Sequence, residues 1–560
     1  MIEAPRSHYR KSPSSSPALR IGLLLESVLT VPAYAAHIMR DLEASNFIEI
    51  VVVVQPKGAI PAQAKFKPHF LYQWYLRLDA RMKLQNDPLA PVDCRDLLRS
   101  VETVEVQRKN DEQEFPADLM RNLRSKQLSV LIQFGCGSGY DALRQAAEFG
   151  VWRLEHSDPE YYLGGPSHFW EMREGSPVSG VVLEAITKKQ SEPLLLAKAL
   201  FATEQTLSVS RNRYIPYWGS TDLILQKLHE LHEFGWEYLR KSAVPHATYK
   251  GTRDRYKTPR NAEMVNWLAP TVLKKAAAYP FRKPTVQHWR IAMRRSAVPF
   301  FEPQADCSGF RWIEPPRGHA WADPFLFEQE GRIWAFFEDY DYPTKRGSIA
   351  CAEISGEGDW SSPMLCLDNP RSHYSYPHIF RDGSEIFMIP ESYDSNSVDL
   401  YRCKIFPTDW VHETVLLQGR FVDTTVWQHD GLWWLATTSA DPMPGASALW
   451  LYYSRSLTGE WTFHPSNPIS RDIRNNRGAG RVFRHQNGLI RPSQSGTPTY
   501  GYSITFHEIT QLSVRGYAER PVKTITPEYW NGMAGVHTYN RLGDLEVIDG
   551  RSARPLKSVL

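Results

Sequence analysis

The sequence of 560 residues has almost no net charge, since 65 lysines and arginines stand against 62 aspartates and glutamates. Proteins that bind nucleic acid through its phosphates need a basic excess, so this balance argues against such a partner. Long apolar runs are also missing, and the longest, residues 21–25 and 50–54, are far too short to span a membrane. No secretory signal opens the chain. These absences predict a soluble, cytoplasmic protein without a membrane span.

Cysteine is scarce, with six residues and no Cys-x-x-Cys spacing. Zinc sites and redox motifs rely on such spacing, and no other group of His, Cys and Asp has a reliable metal-ligand pattern. Several of the six lie inside apolar strands, where a thiol behaves as a small hydrophobic group. We therefore predict free buried thiols, and neither a disulfide framework nor a metal site.

The second half of the chain contains a repeat. Each copy consists of a short apolar strand, a glycine turn and a second apolar strand. The copies begin at Asp323, Pro377, Asp423, Arg481 and Val536. A period of roughly 40–50 residues with four short strands per unit is typical of a propeller blade. Five copies predict a five-bladed β-propeller over residues 285–555, in which a strand near Trp289 completes a blade begun at the other end of the array.

The first half alternates apolar strands with helical patterns. The predicted strands include residues 21–25, 47–54, 128–134 and 151–155. This alternation predicts an open, Rossmann-like α/β sheet, with ligands beyond the carboxyl ends of its strands. We assign residues 19–242 to this domain, residues 1–18 to a disordered tail and residues 243–284 to a basic linker or helical region. The fold class is therefore multi-domain, α/β followed by all-β.

The first domain resembles the catalytic domain of the folate-dependent formyltransferases, which include sugar-nucleotide N-formyltransferases. The stretches that carry the resemblance are residues 128–135, 150–157 and 164–170. It implies transfer of a formyl or related one-carbon group from a formyl-tetrahydrofolate donor to an amino sugar or sugar nucleotide. In that family an Asn and a His polarise the formyl carbonyl, and an Asp manages the amine proton.

The catalytic groups implied by this resemblance are only partly matched. His156 matches the histidine of the family, whereas Leu154 stands in place of the asparagine. Glu192 is a shifted substitute for the aspartate. The open alternatives are a displaced alignment, different chemistry or an inert first domain. For His156 itself, the alternative is a strand-end histidine that hydrogen-bonds the neighbouring loop.

A glycine cluster follows the predicted strand at residues 128–134. Gly135, Gly137 and Gly139 precede a predicted helix there. Glycines at such a junction let backbone amides approach an anion, which makes these three candidate cofactor-binding residues. Because the spacing matches neither a dinucleotide fingerprint nor a P-loop, a tight turn is the competing interpretation.

The second domain resembles the N-terminal domain of plant glucosamine inositolphosphorylceramide transferases. The residues that carry this resemblance are 321–325, 373–378, 390–392, 423–427, 491–494 and 502–505. Arg491 begins one of these motifs and is a candidate substrate-binding residue.

The same ring is more distantly similar to five-bladed glycosidases of the arabinanase and xylosidase type. That resemblance implies an acid and a base on either side of a glycosidic bond. Asp323 matches the base and Asp423 the auxiliary aspartate, whereas residues 479–481 lack the expected general acid. Glu391 and Glu338 end the second strands of their blades and can approach the pocket instead.

Inner strands of a propeller line its channel, so several polar residues should converge there. They are His319, Asp323, His378, Asp423, Arg481 and His537. Such a mixture, with Trp and Tyr around it, suits a carbohydrate or phosphosugar. The competing interpretation is that these charges pair with one another to satisfy the channel walls.

Together these features predict a carbohydrate-active transferase. Its α/β domain would act on an amino sugar or sugar nucleotide, and its propeller would bind the glycan. Two alternatives remain open: a glycosidase-like hydrolase with its active site in the propeller and an inert first domain, and a non-catalytic carbohydrate-binding protein.

Overall fold

The computed structural model describes residues 5–57, 69–81, 84–107, 115–136, 138–189, 192–204, 206–278, 284–302, 304–305, 308–356, 358–440, 447–486 and 488–559. The chain divides into two compact units, Pro5–Ala278 and Tyr279–Leu560. We call them the α/β unit and the propeller unit. None of the helices in the described ranges is long and apolar enough to cross a membrane.

The α/β unit is built from short strands and helices in alternation. Its strands are β1 (Leu19–Leu25), β2 (Val31–Pro32), β3 (Ile48–Lys57), β4 (Pro91–Val92), β5 (Glu102–Gln107), β6 (Val130–Phe134), β7 (Val151–Glu155), β8 (Val178–Ile186) and β9 (Leu194–Ala202). Its helices are α1 (Pro5–His8), α2 (Ala33–Glu43), α3 (Phe70–Asp79), α4 (Ala117–Ser125), α5 (Phe169–Glu174), α6 (Val209–Gly219), α7 (Leu223–Lys241) and α8 (Asn261–Ala278). Ser138–Ala146 is a 3-10 helix.

Seven of these strands form one sheet, in the order β5-β3-β1-β6-β7-β8-β9. The pairs from β5 to β7 are parallel, and β8 and β9 are added antiparallel. Parallel strands are covered on both faces, and accordingly every residue of β6 is buried. The chain order reverses between β1 and β6, where open α/β sheets bind their ligands. The predicted Rossmann-like sheet is thereby confirmed.

The propeller unit is all-β apart from short helical turns, including α9 (Leu556–Val559). Its strands are β10 (Thr285–Arg295), β11 (Arg311–Ile313), β12 (His319–Gln329), β13 (Arg332–Asp341), β14 (Arg346–Ile354), β15 (Met364–Leu367), β16 (Ser375–Asp382), β17 (Glu385–Glu391), β18 (Ser397–Ile405), β19 (Asp409–Gln418), β20 (Phe421–His429), β21 (Leu432–Ser439), β22 (Ala448–Ser454), β23 (Thr462–Phe463), β24 (Arg477–Gly478), β25 (Phe483–His485), β26 (Gly488–Gln494), β27 (Ile504–Ser513), β28 (Gly516–Ile525), β29 (Tyr539–Leu542) and β30 (Leu545–Pro555).

These strands form five antiparallel sheets, one for each blade. Blades one to three are β12–β15, β16–β19 and β20–β23, and blade four has an inner edge split into β24 and β25 beside β26–β28. The fifth sheet has the order β11-β10-β30-β29, so β10 from the start of the unit pairs with β30 from its end, with Trp289 opposite Arg551. The predicted five blades, and their closure by the strand around Trp289, are confirmed.

Apolar side chains pack between neighbouring blades. One cluster joins blades one and two through Phe325, Phe336, Tyr376 and Met388, all fully or nearly fully buried. The five cysteines within the described ranges are free, and four of them are buried. These cores hold the inner strands in place, and the ends of those strands line the cavities described next.

Candidate functional site

Two cavities lie along the innermost strands of the propeller. The first, of about 680 Å³, is lined near the beginnings of β12, β16 and β20, by residues that include Asp323, Ser375 and Asp423. The second, of about 380 Å³, is lined three to five residues further along the same strands. Because inner strands run along the channel, the two cavities open towards its opposite ends. We call them the acidic cavity and the basic cavity, after the side chains they contain.

A repeated backbone irregularity shapes the acidic cavity. The pairing register shifts at Ala322/Phe325, Ser375/His378 and Val422/Thr425, the same place in blades one to three. Within these bulges Asp323, Tyr376 and Asp423 adopt left-handed conformations, with φ of 52°, 46° and 52°. Non-glycine residues avoid this region unless the surrounding structure imposes it, and such bulges re-aim side chains. Asp323 and Asp423 thereby both line the cavity.

Asp323 belongs to a buried network with blade five. Its carboxylate accepts a hydrogen bond from the Thr538 hydroxyl (2.6 Å), and His537 Nε2 lies 3.7 Å away. The other ring nitrogen of His537 lies 2.6 Å from Asp549, whose carboxylate also accepts the backbone N–H of Asp323. Burial opposes a charged ring, but Asp549 and Asp323 raise the pKa of His537 to about 9. The group is therefore an imidazolium held between two carboxyl groups.

Asp423 and Glu391 share one cation. Arg477 Nε donates to Asp423 (2.6 Å), and an Arg477 Nη lies 4.0 Å from Glu391. The backbone N–H of Asp423 donates to Glu391 (3.0 Å), and the side-chain amide of Gln494 donates to Asp423 (3.3 Å). Two carboxyl groups thus lie close to a single guanidinium. One of them is favoured in its protonated form.

The acidity of two carboxyl groups is shifted towards neutral pH. Burial, with smaller contributions from Asp549 and Glu338, raises the pKa of Asp323 to about 7 against the pull of His537. Burial and the neighbouring Asp423 raise the pKa of Glu391 to about 8. The Glu391 side chain is still 13% exposed, so a ligand can reach it. Groups that exchange protons near neutral pH are suited to general acid–base catalysis.

Aromatic side chains form part of the cavity wall. Trp289 stacks on His537 with ring centroids 3.9 Å apart, and Tyr500 lies under the Arg477 guanidinium at 5.1 Å. Tyr340 and Tyr342 line the same cavity, as do His373 and Glu338, which form a 3.1 Å ion pair. Polar groups that orient a ligand beside aromatic faces that cover it are typical of small-molecule sites.

One set of side chains in the described ranges has the spacing of a metal site. Ligand atoms of Asp323, His537 and Asp549 lie within 4.8 Å of one another. A metal ion at this place would have to displace the proton of His537, whose pKa the two carboxylates raise. The arrangement is satisfied as an ion pair between protein groups. The prediction that the chain uses no metal stays a prediction.

The other predicted channel residues do not converge on the acidic cavity. His378 and Arg481 line the basic cavity instead. His319 pairs with Asp339 (2.9 Å) and is absent from the lining of either cavity. Arg491 is buried in a two-point ion pair with Glu519 within blade four. The sequence predicted that six residues converge in one funnel, and this prediction is wrong. His537, Asp323 and Asp423 line one cavity, whereas His319, His378 and Arg481 do not line it.

His156 lies directly after β7 in the α/β unit, in a cluster of aromatic rings. It stacks on Tyr217 with centroids 3.6 Å apart, and Tyr34 and His168 pack edge-on. Burial lowers its pKa well below the usual value, with His168 and Arg213 adding to the effect, so the ring is neutral. Neither ring nitrogen has a hydrogen-bond partner among the described residues. The expected hydrogen bond to the loop is therefore not seen there.

The other candidate site residues of the α/β unit are Glu192 and the three glycines that follow β6. Glu192 is exposed in the connection between β8 and β9. Gly135 has a positive φ of 74°. The backbone N–H of the next residue, Cys136, donates a hydrogen bond to the Glu26 carboxylate (3.1 Å), so this N–H is not available to an anionic ligand. Gly139 lies in the 3-10 helix, and Gly137 falls outside the described residues. The observed contact favours the tight turn over an open anion cradle.

Sequence reasoning missed several residues of the acidic cavity. Arg477 precedes the fourth repeat, and Asp549 interrupts the apolar strand β30. A buried charge within an apolar strand is a signal that a partner charge is near, and it was available for Asp549. Trp289 and Tyr500 gave no such signal. They are more than 200 residues apart in the sequence, and only the closure of the propeller brings both to this cavity.

The match to known proteins falls on the propeller. Residues 276–547 match the family model described as glucosamine inositolphosphorylceramide transferase 1, N-terminal. Glucosamine inositolphosphorylceramide transferase 1 of Oryza sativa subsp. japonica is 34% identical over 227 residues, which are 39% of this chain and 30% of that protein. The matched segment thus spans less than a third of the length of this relative.

Two solved structures illustrate the likeness of the chain to known folds. Glycinamide ribonucleotide transformylase 1 from Symbiobacterium toebii is 12% identical with a TM-score of 0.28, over 38% of this chain and 88% of that one. RS223-β-xylosidase is 9% identical with a TM-score of 0.32, over 43% and 98%. Over residues 276–547, this chain is similar to the N-terminal domain of glucosamine inositolphosphorylceramide transferase 1, which confirms the resemblance of its propeller motifs.

Proposed function

We propose that this protein is a carbohydrate-active transferase and that the acidic cavity of its propeller is where the sugar binds. The observation that carries the proposal is the meeting of Asp323, Glu391 and Asp423 with His537 and Arg477 in one cavity with an aromatic wall. Sugars offer hydroxyl groups to carboxylates and apolar ring faces to aromatic side chains, and this cavity presents both. The relatives' printed name, which joins a sugar to a transferase, supports the same class.

The carboxyl groups would have different roles. Asp423 accepts a hydrogen bond from Arg477 Nε at 2.6 Å and suits a hydroxyl-binding role. Asp323 and Glu391, whose pKa values lie near 7 and 8, would carry a proton to or from the sugar or its acceptor. If the acceptor were water, the same groups would hydrolyse a glycoside, which is the hydrolase alternative.

Binding and turnover of sugars by the full chain test this proposal. The probes are amino sugars, their nucleotide-activated forms and aryl glycosides, with binding followed by calorimetry and products by mass spectrometry. Asp323→Asn keeps the shape of the side chain but cannot exchange a proton, so we expect turnover to fall by about 10²–10⁴-fold while binding persists. His319→Asn, outside both cavities, is the matched control.

The outcomes separate the three functions. Transfer of a group between sugar and acceptor that Asp323→Asn abolishes supports the proposal. Release of the aryl group into water indicates the hydrolase, and binding without any turnover indicates a binding protein. Absence of sugar binding at millimolar concentration would contradict all three for this cavity.

A second candidate is formyl transfer by the α/β unit, and His156 motivates it. A neutral, buried imidazole with two unpartnered nitrogens can donate a hydrogen bond to a carbonyl without carrying charge. Incorporation of labelled formyl from formyl-tetrahydrofolate into an amino sugar tests it, with His156→Ala expected to abolish incorporation and Glu192→Gln to reveal any part played by that carboxylate. No folate binding by the unmodified chain would remove this candidate.

A further inference from the structure

The basic cavity contains a partly buried cation, Arg481, that has no counter-ion among the described residues. Arg481 Nη2 donates to the backbone carbonyls of Leu326 (3.2 Å) and Ile379 (2.7 Å), which reaches from blade four to blades one and two. Burial lowers the pKa of Arg481 to about 10, and no neighbouring carboxylate offsets this change. Across the described ranges, Arg481 forms no ion pair with an acidic side chain. A guanidinium that is partly withdrawn from water and lacks a carboxylate partner is stabilised by an anion beside it.

Further polar atoms of the same cavity have no partner. They are Arg481 Nε, His378 Nδ1 and Trp427 Nε1, as far as the described residues go. His378 and Trp427 are more than nine-tenths buried, and all three residues line the cavity. Arg481 and Trp427 can only donate hydrogen bonds. A ligand rich in acceptors beside Arg481 is the complement that these donors lack.

His378 can join them as a donor. Its Nε2 lies 3.2 Å from the backbone N–H of Val426 and 3.0 Å from the carbonyl oxygen of the same residue. In the tautomer that accepts from the N–H, the proton is on Nδ1, and an anion in the cavity favours this tautomer over the one that donates to the carbonyl. Burial and the charge of Arg481 lower the pKa of His378 to about 3, so the ring is neutral in the empty cavity. An anion beside Arg481 would relieve that repulsion.

The wall of the cavity indicates what accompanies the anion. Phe380, Trp433 and Trp427 supply aromatic surface, and Arg381 adds an exposed guanidinium. Glu328 is the acidic residue of the lining, and its side chain is exposed at the edge. The cavity of about 380 Å³ is larger than an inorganic phosphate and has room for a ring beside it.

We propose that the basic cavity is a binding site for a phosphate group, free or as the monoester of a sugar-sized molecule, and that Arg481 is its principal ligand. Phosphate offers several acceptor oxygens to converging N–H groups, and arginine binds it through geometry as well as charge. The site uses residues apart from the acidic cavity, so it holds whether or not a sugar binds there.

Titration of the full chain with inorganic phosphate, followed by calorimetry and by the thermal midpoint, tests this site. We expect saturable binding and a midpoint that rises with phosphate, whereas sodium chloride of equal ionic strength leaves it unchanged. Arg481→Met should weaken binding by about tenfold to a hundredfold, as loss of a charge-assisted hydrogen bond predicts. Glucose 6-phosphate in place of phosphate shows whether the aromatic wall adds affinity.

Two further variants guard against misfolding and against binding elsewhere. Trp427→Phe keeps the aromatic bulk and removes one N–H, so it should fold and weaken phosphate binding by a smaller factor. His319→Asn, outside both cavities, should leave phosphate binding unchanged. Equal phosphate binding by the unmodified chain, Arg481→Met and Trp427→Phe would overturn the proposal, as would no binding at millimolar phosphate.

Discussion

The two ends of the propeller channel are lined by the same inner strands, yet their chemistry is opposite. At one end Asp323, Glu391 and Asp423 lie beside Arg477 and His537. Three to five residues further along, the cavity holds Arg481 with backbone carbonyls in place of a carboxylate. The difference teaches that the repeat determines where side chains meet, whereas single residues at equivalent positions determine what they can bind.

The same contrast shows which buried charges the protein satisfies by itself. Arg477 is paired with Asp423 at 2.6 Å, and the imidazolium of His537 is held by Asp549 at 2.6 Å. Arg481 has no such partner among the described residues. The cations of the acidic end are therefore paired with carboxylates of the protein, whereas Arg481 at the basic end is not. Removing a cation should consequently have different effects at the two ends.

The largest expected effect comes from removing one cation at each end. Arg477→Met leaves Asp423 buried without its partner and should lower the free energy of unfolding by about 3–5 kcal/mol. Arg481→Met removes an uncompensated charge and should change it by less than about 2 kcal/mol. Urea unfolding of both variants measures the difference.

A double variant shows whether the stability lost in Arg477→Met comes from the ion pair with Asp423. Arg477→Met combined with Asp423→Asn removes both charges, so much of the lost stability should return. Equal losses for the Arg477 and Arg481 variants would break the comparison between the two ends.

The pH dependence of stability should be dominated by the acidic end. The pKa of Glu391 rises from an ordinary 4.5 to about 8 and that of Asp323 from 3.8 to about 7, so the folded state holds protons that the unfolded state releases. The contribution of these two groups to stability is therefore fully present below about pH 4 and is lost as pH rises towards 8. His537, raised from 6.5 to about 9, extends the loss to higher pH.

Replacing Glu391 isolates its contribution. Glu391→Gln cannot titrate, so the slope of unfolding free energy against pH between 4.5 and 8 should become shallower by up to about 1.4 kcal/mol per pH unit. Urea unfolding at a series of pH values gives the slope, with Glu192→Gln on an exposed connection as the control. An unchanged slope would mean that Glu391 is ionised throughout.

The smallest effect is expected outside both cavities. His319 is partly exposed and pairs with Asp339, so His319→Asn should change the free energy of unfolding by less than about 1 kcal/mol. Sugar and phosphate binding should both be unchanged in calorimetry. A marked loss of either affinity would extend the corresponding cavity to His319 and return it to the candidate binding residues.

The sequence predicted the architecture well because the repeat is a property of the strands themselves. Glycine turns and apolar runs recur in each blade, and the position of Asp323 in blade one equals that of Asp423 in blade three. The sequence therefore predicted that these two carboxylates lie in the same part of the channel. The open α/β sheet of the first unit was predicted from its alternating strands and helices, whereas the order of its strands came only from the structure.

The division of the channel into two ends could not be predicted. It depends on the bulges at Asp323, Tyr376 and Asp423. Each bulge shifts the pairing register and so changes the direction in which the later side chains of that strand point. His378 follows the bulge of blade two and lines the other cavity together with Arg481. A sequence gives no measure of that shift, and the ion pair that buries Arg491 against Glu519 was equally hidden.

A crystal structure of the full chain soaked with glucosamine and phosphate together tests the central claim most directly. The account predicts a sugar in the acidic cavity, with its hydroxyl groups on Asp423 and Glu391, and a phosphate in the basic cavity within hydrogen-bond distance of Arg481. Both ligands at the same end, or a sugar bound elsewhere while the acidic cavity contains none, would contradict it.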